Sequence, residues 1–491
     1  MLTNMKNMAR LLGLTALAML VQGYHPGLED DAYYLAAIKN NLNPALFPHD
    51  ADFFRVLFQA TAFDKLIALS IRWTHIPLAW GLFFWQCAAI FLMLWGCFRI
   101  ARRCFEQEYE QWAAVAMVAV LLTLPVAGTG LTLSDQHLHP RALATALILA
   151  AIVAVIDGKR ALAGVLLLAA FPLHLNMTPF GVSYCVFLAW NPKKIEQQHP
   201  AVLAMLLMPL GWMFEPATDA WRQAEATRDF YFLARWHWYE WLGVVGPLAL
   251  LWWFRALALG RRSTVMGSTV MARMAERMVY FGVFQLAVAL ILMLPPPLER
   301  FRSLEPMRFL HLVYLLFVLL SGGLLARYLL KQHLLRWLLL FVPLSAGMFY
   351  AQRQLYPGTV HLELPGRPSG NDWVEAFRWI SQNTPVNSQF ALDPQYMEMQ
   401  REDYHGFRAL AERSVLADAL KDPCIVVRVP SLGPRWLREM GAQRGWRDFQ
   451  KPDFQRLKSQ FGVDWVVLTN PPVAGMTCPY SNRRVSVCRV E

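Results

Sequence analysis

Apolar stretches long enough for helices recur along the whole chain, near residues 8–23, 76–98, 111–128, 140–156, 161–175, 177–190, 200–214, 239–256, 278–295, 307–329 and 333–350. They predict about eleven membrane spans, several shorter than the roughly 17–25 residues a helix needs to cross a bilayer. The polar positions between them sort by charge. Arg99, Arg102 and Arg103, then Lys159 and Arg160, Lys193 and Lys194, Arg261, Arg262, Arg273 and Arg277, and Arg327, Lys331 and Arg336 all fall on one side if the N-terminus is cytoplasmic. The opposite side receives the acidic loop 23–52, SDQHLHP (134–140), HLNMTP (174–179), 215–238, PPPLERFRSLEPMR (295–308) and everything after residue 350.

Two stretches are too polar to span. In 52–72, Phe54, Leu57, Phe58, Leu66 and Leu69 recur at helical spacing, which predicts a helix lying along the outer surface. Residues 215–241 read the same way, with Trp236, Trp238 and Trp241 at headgroup level. Past residue 350 the pattern becomes that of a soluble domain. A Pro/Gly-rich linker (351–370) is followed by a small α/β unit (371–491). DWVEAFRWISQNTP predicts a helix with Asp372 as N-cap, and QFALD (389–393), CIVVRV (424–429), DWVVLT (464–469) and VSVCRV (485–490) read as strands. The domain plan is therefore a polytopic α-helical membrane domain (1–350), the linker, and an extracytoplasmic α/β domain.

Composition supports that plan: 56% of residues are hydrophobic and 16% charged, against a globular norm near 25% charged. The net charge of +11 comes from short clusters between apolar runs, which argues against nucleic acid as a partner and for a lipid bilayer. The N-terminal Lys6, Arg10 and LLGLTALAML read as a retained signal-anchor helix. Seven Cys form no CxxC pair; Cys424, Cys478 and Cys488 lie in the tail, where one disulfide is open and the spacing does not choose the pair.

The candidate chemistry collects on the outer side. Glu29, Asp30 and Asp31 are adjacent acids in an otherwise greasy region, and a carboxylate at a membrane surface can take a proton or hold a metal. Arg141 and Arg308 share that side, and a guanidinium meets phosphate with two hydrogen bonds. Asp135 and His137, with His139, carry donor atoms for a divalent metal, though no fixed-spacing zinc signature is present. His174 interrupts two short apolar runs between Pro172 and Pro179, where broken helices line a cavity. Each has a plainer reading too: a solvated loop, a helix cap before Pro140, a core histidine, an interfacial anchor. No Walker loop, GxGxxG after a strand, HExxH or Ser-His-Asp arrangement is found.

These parts in this order resemble the GT-C superfamily of polyprenyl-phosphate-dependent glycosyltransferases. LSDQHLHPRALATALILAAI, DGKRALAGVLLLAAFPLHLNMTP, LNPALFPHDADFF and SLEPMRFLHLVYLLFVLLSGGLL are similar to a group of bacterial GT-C-like membrane proteins. WVEAFRWISQNTP, QFALDP and FRALAERSVLAD are similar to the entry of external domains in oligosaccharyltransferase-like proteins. The resemblance implies an outward-facing enzyme of the bacterial inner membrane that transfers a sugar from a polyprenyl-phosphate donor to a cell-envelope acceptor. Asp31 or Asp30 matches the first-loop acid, with Arg141 and Arg308, then Glu29, His139 and His174, around the substrate. DPQYMEMQ stands where an oligosaccharyltransferase carries WWDYG, which points away from a peptide acceptor. The alternatives are a transporter or flippase, which would place charges at mid-span, and a non-catalytic envelope scaffold.

Overall fold

The computed structural model describes residues 2–190, 216–259, 266–399, 403 and 405–491. The expected run 200–214 and the basic residues Lys193, Lys194, Arg261 and Arg262 lie outside the described residues. Among the described residues, five helices are long and apolar enough to cross a membrane: Leu78–Cys104, Trp238–Leu259, Gly267–Met293, Pro306–Leu330 and Leu334–Leu355. The chain is thus a multi-pass membrane protein, and among the described residues the other expected runs do not form helices of that length and apolarity. The difference lies in the short runs. Pro140–Ile156, Arg160–Ala170 and Thr178–Ala189 are helices of 17, 11 and 12 residues. The run at 111–128 ends as a helix at Val120, after which residues 125–126 turn back and pair with 131–132. Pro140–Ile156 is covered by neighbouring helices and need not match bilayer thickness, whereas Arg160–Ala170 leaves Leu162, Val165 and Leu168 exposed.

The surface helix expected over 52–72 is two helices, Asp52–Phe58 and Phe63–Thr74, broken where Ala62 N donates to Pro172 O. Phe54 of the first helix is buried, while Leu66, Leu69 and Trp73 of the second are exposed. In 215–241, a short helix Asp219–Ala226 and two single turns lead into the span that begins at Trp238.

After Leu355 the chain runs without helix to Asn371, which caps the helix Asp372–Asn383: its side-chain oxygen accepts from Trp373 N (2.9 Å) and Val374 N (3.2 Å). The expected cap, Asp372, is instead the first helical residue. The tail is built on one mixed sheet, in the order 414–415, 389–392, 463–469, 485–489, 477–481. The first two pairings are parallel and the last two antiparallel. Alternation along Val463–Thr469 sends Trp465 and Val467 toward the 372–383 helix, and Val466 and Leu468 toward the 451–461 helix. Cys478 and Cys488 pair on neighbouring strands, leaving Cys424 free. CIVVRV is not a strand: Asp422–Arg428 is a helix, started by Pro423 in its first turn and packed through Ile425, Val426 and Val427 against Trp221 and Phe53.

The tail is strapped to the loop that follows the first helix. Tyr24 N donates to His361 O and Glu363 N to Tyr24 O (3.0 and 2.9 Å), and Gly406 N donates to Gly27 O (2.8 Å). Gly27 has φ +82°, and a Cβ there would meet Leu410 Cδ2 at 2.9 Å, so both conformation and space require glycine. Glu363 Oε1 lies between His25 Nδ1 (3.0 Å) and His405 Nε2 (3.2 Å), and Arg408 bridges Asp50 (2.5 Å) and Asp422 (2.8 Å). All these side chains are buried. The partner-free carboxylates left by Arg408→Met would cost about 3–5 kcal/mol. The expected outcome is a tail that undocks: limited proteolysis of the detergent-solubilised variant cuts between residues 356 and 371, where the wild type resists.

Candidate functional site

The ends of four helical segments and one tail helix meet at Asp30. The turn before the helix Asp31–Leu42 is held by Asp31, whose Oδ2 accepts from Gly27 N at 2.6 Å. Asp31 is buried, and burial raises its pKa despite His137 and Gly27 nearby. Asp30, one residue earlier, points the other way. Its Oδ1 lies 3.1 Å from Lys421 Nζ and its Oδ2 lies 3.9 Å from His139 Nε2, with 33% of its side chain exposed. Burial alone would push the Asp30 pKa up, but Lys421, His139 and Arg308 hold it well below the usual carboxylate range. Glu29 shares Lys421 at 2.7 Å. The two adjacent acids therefore have different roles: Asp31 builds the turn, and Asp30 faces the site.

The SDQHLHP segment is buried and pinned: Gln86 Nε2 donates to Asp135 O (2.9 Å) and His25 N to Gln136 O (2.8 Å). His139 caps the helix Pro140–Ile156 by accepting from Arg141 N through Nδ1 at 3.0 Å. Its proton is thereby assigned to Nε2, the nitrogen facing Asp30. Both Asp135 oxygens receive Arg141 Nη2, at 2.5 and 2.7 Å. His137 is buried with both ring nitrogens unpartnered among the described residues. His174 stacks 5.8 Å from His139 in a tilted arrangement, and its Nδ1 accepts from Met177 N at 3.3 Å. Burial, then the cations Arg141 and Arg308 nearby, keeps His174 well below its usual pKa and neutral at pH 7.

On the far wall Glu305, at φ +54°, gathers cations. Its Oε2 meets Arg308 Nη1 (2.8 Å), Arg428 Nη2 (3.1 Å) and, more loosely, Asn176 Nδ2 (3.4 Å). The Nε atoms of Arg141 and Arg308 are buried and lack an acceptor among the described residues. The structure thus brings together Asp30, Glu29, Asp135, His137, His139, Arg141, His174 and Arg308, and sets Asp31 aside as a structural acid. A metal on Asp135 and His137 is not supported by the donor geometry. Asp135 is committed to Arg141, and among the described residues no three His, Cys, Asp or Glu side chains are grouped to hold an ion. Lys421 and Arg428 come from the tail and were not singled out from the sequence. A lone lysine in LKDPC and an arginine in a β-branched run carry no local mark of a site.

No family model matches this chain, and no curated protein does. Among solved structures, the chain is similar to the Archaeoglobus fulgidus oligosaccharyltransferase in its apo form, at 11% identity over 94% of this chain and 69% of that one, with a TM-score of 0.43. The same enzyme in complex with Zn and sulfate gives 10% identity over 94% and 68%, with a TM-score of 0.41. The reading of the site rests on its own side chains.

Beside the site, Phe230, Trp236, Tyr239 and Tyr314 help line a groove of about 830 Å³ that also carries Arg235 and Glu240. Tyr231 connects the two, its hydroxyl 3.4 Å from Glu305 Oε1. At the opposite end of the helices, Arg103 pairs with Asp157 (2.6 Å) and Arg327 with Glu110 (2.9 Å), far in sequence from the imidazoles.

The charge on Asp30 links to stability with a definite sign. A depressed folded pKa contributes stability above the unfolded carboxylate value, about 3.9, which is lost as pH falls through the folded value. Lys421→Met removes the cation that does most to lower it. The wild type is expected to lose more of its unfolding temperature between pH 5 and pH 3 than Lys421→Met does, while the variant is the less stable protein at pH 7. Equal losses for the two proteins in a thermal scan would contradict this placement of charge.

Proposed function

We propose that the protein is a membrane glycosyltransferase of GT-C type, working at the outer face of the bacterial inner membrane on a sugar carried by a polyprenyl phosphate. The observation that carries this reading is the exposure and charge of Asp30, set among His139, His174, Arg141 and Arg308 at one end of the helices. The resemblance of the loop segments to GT-C transferases points the same way. The N-terminus is then cytoplasmic, with the tail and the site on the other side.

The chemistry follows from the donors available. An acceptor hydroxyl attacks the anomeric carbon; the new carbon–oxygen bond forms as the bond to the phosphate oxygen breaks, and the electron pair leaves on that phosphate. Asp30 accepts the hydroxyl proton. Its low pKa makes it a weak base in the ground state, suited to a proton that becomes acidic only as attack proceeds. The unpartnered Nε–H groups of Arg141 and Arg308 are placed to donate to the departing phosphate, where charge develops. His139 holds its Nε2–H toward Asp30 and fixes the carboxylate's orientation. The aromatic groove beside Tyr231 suits an apolar donor chain. No step passes through a metal.

Asp30→Asn is expected to lower sugar transfer from a polyprenyl-phosphate donor by about 100-fold or more, with membrane insertion intact and a loss of thermal stability at pH 7 smaller than that of Lys421→Met, because Lys421 keeps Glu29. Radiolabelled transfer in proteoliposomes measures it. Activity within a few-fold of wild type would remove Asp30 from the chemistry.

A further inference from the structure

The charges around Asp30 can be paired one by one. Lys421 answers Glu29 and Asp30, Arg141 answers Asp135, and Arg308 and Arg428 answer Glu305. Four cations meet four carboxylates, and the buried Asp31 is engaged by Gly27 instead. A fifth cation, Arg228, remains. It sits between the helix Asp219–Ala226 and the span starting at Trp238, its backbone fixed by Arg228 N to Glu225 O (2.9 Å) and Tyr231 N to Arg228 O (3.2 Å). Its side chain runs to the Cys424 sulfur and lies within electrostatic reach of Asp30, Tyr33 and Lys421. Its Nε and Nη2 are shut off from solvent and meet no acceptor among the described residues.

An unpaired guanidinium with two buried, idle donors is costly to keep unless something negative answers it. Those two atoms form one side of the planar fork that binds carboxylate or phosphate with two hydrogen bonds. Thiol sulfur is too weak an acceptor to replace that. We infer that Arg228, with Cys424 and the Lys421 side of Asp30, forms a binding site for a phosphate-class anion, separate from the Arg141 and Arg308 donors on the opposite side of Asp30. In the transferase reading, on which this last step rests, it holds an anionic group of the acceptor, so that acceptor and donor approach Asp30 from two sides. The anion site itself does not depend on that reading.

The experiment uses the full chain and measures binding without turnover. In one arm, inorganic phosphate is titrated against the protein in neutral detergent and the unfolding temperature is followed. In the other, nanodiscs of phosphatidylcholine are compared with nanodiscs containing phosphatidylglycerol. The first arm reports a soluble anion and the second a lipid headgroup. A stabilising shift is expected in at least one arm for the wild type. Arg228→Gln weakens it about tenfold or more, whereas Arg228→Lys retains part of it. Without added anion, Arg228→Met is expected to be no less stable than wild type, because it removes two buried donors that lack an acceptor among the described residues. Two results overturn the site: shifts unaffected by Arg228→Gln, or no shift for the wild type in either arm. A marked loss of stability in Arg228→Met without anion does so too, since it would show the guanidinium already answered within the protein. Asp30→Asn is expected to bind phosphate at least as well as wild type, so loss of transfer and loss of the anion site are told apart.

Discussion

Charges taken out of water must be answered, and in this protein they are answered across a seam. Asp30 from the first loop meets Lys421 from the tail; Asp50 meets Arg408; Glu305 from the membrane domain meets Arg428; and His25 and His405 approach Glu363 of the linker from either side. Each arrangement draws at least one member from each side of the seam. Replacing one partner in the docked chain would strand the other's charge in apolar surroundings, which costs far more than the pair gains relative to water. The seam therefore fixes orientation more than it adds net stability. It also means that the site exists only in the docked chain.

That dependence explains how two neighbouring acids acquire different characters. Asp31 turns inward, accepts a backbone N–H and is driven toward its neutral form by burial. Asp30 stays partly in solvent and stays charged because a lysine some 390 positions later lies beside it. Environment, not residue type, separates the carboxylate that holds the turn from the one that stays charged. The imidazoles behave in the same way. His139 is at once a helix cap and a neighbour of Asp30, and the cap decides which nitrogen faces the carboxylate.

Much of the fold was legible in the chain. The apolar runs near 76–98, 239–256, 278–295, 307–329 and 333–350 correspond to helices of spanning length, and the composition change after residue 350 marks the tail. The short runs were less legible, because an apolar stretch buried by protein and one buried by lipid look alike in sequence. CIVVRV was read as a strand from its β-branched residues, yet Pro423 in its first turn and the apolar wall of Trp221 and Phe53 made it a helix. There, tertiary burial overrode propensity. The candidate side chains were legible as a group sharing one membrane face. Their pairing was not, since Arg141 and Asp135 lie six residues apart but Glu305 and Arg428 lie 123 apart.

By itself the sequence determined that this is a membrane protein with an acidic first loop, histidines and arginines between its apolar runs, and an appended α/β domain. Those features are set by local hydrophobicity and charge, which act residue by residue. The tertiary structure alone decided which acid faces the site, which cations answer it, and which guanidinium is left over. Electrostatic partnership in a low-dielectric interior depends on distances of a few ångströms between segments that only folding brings together.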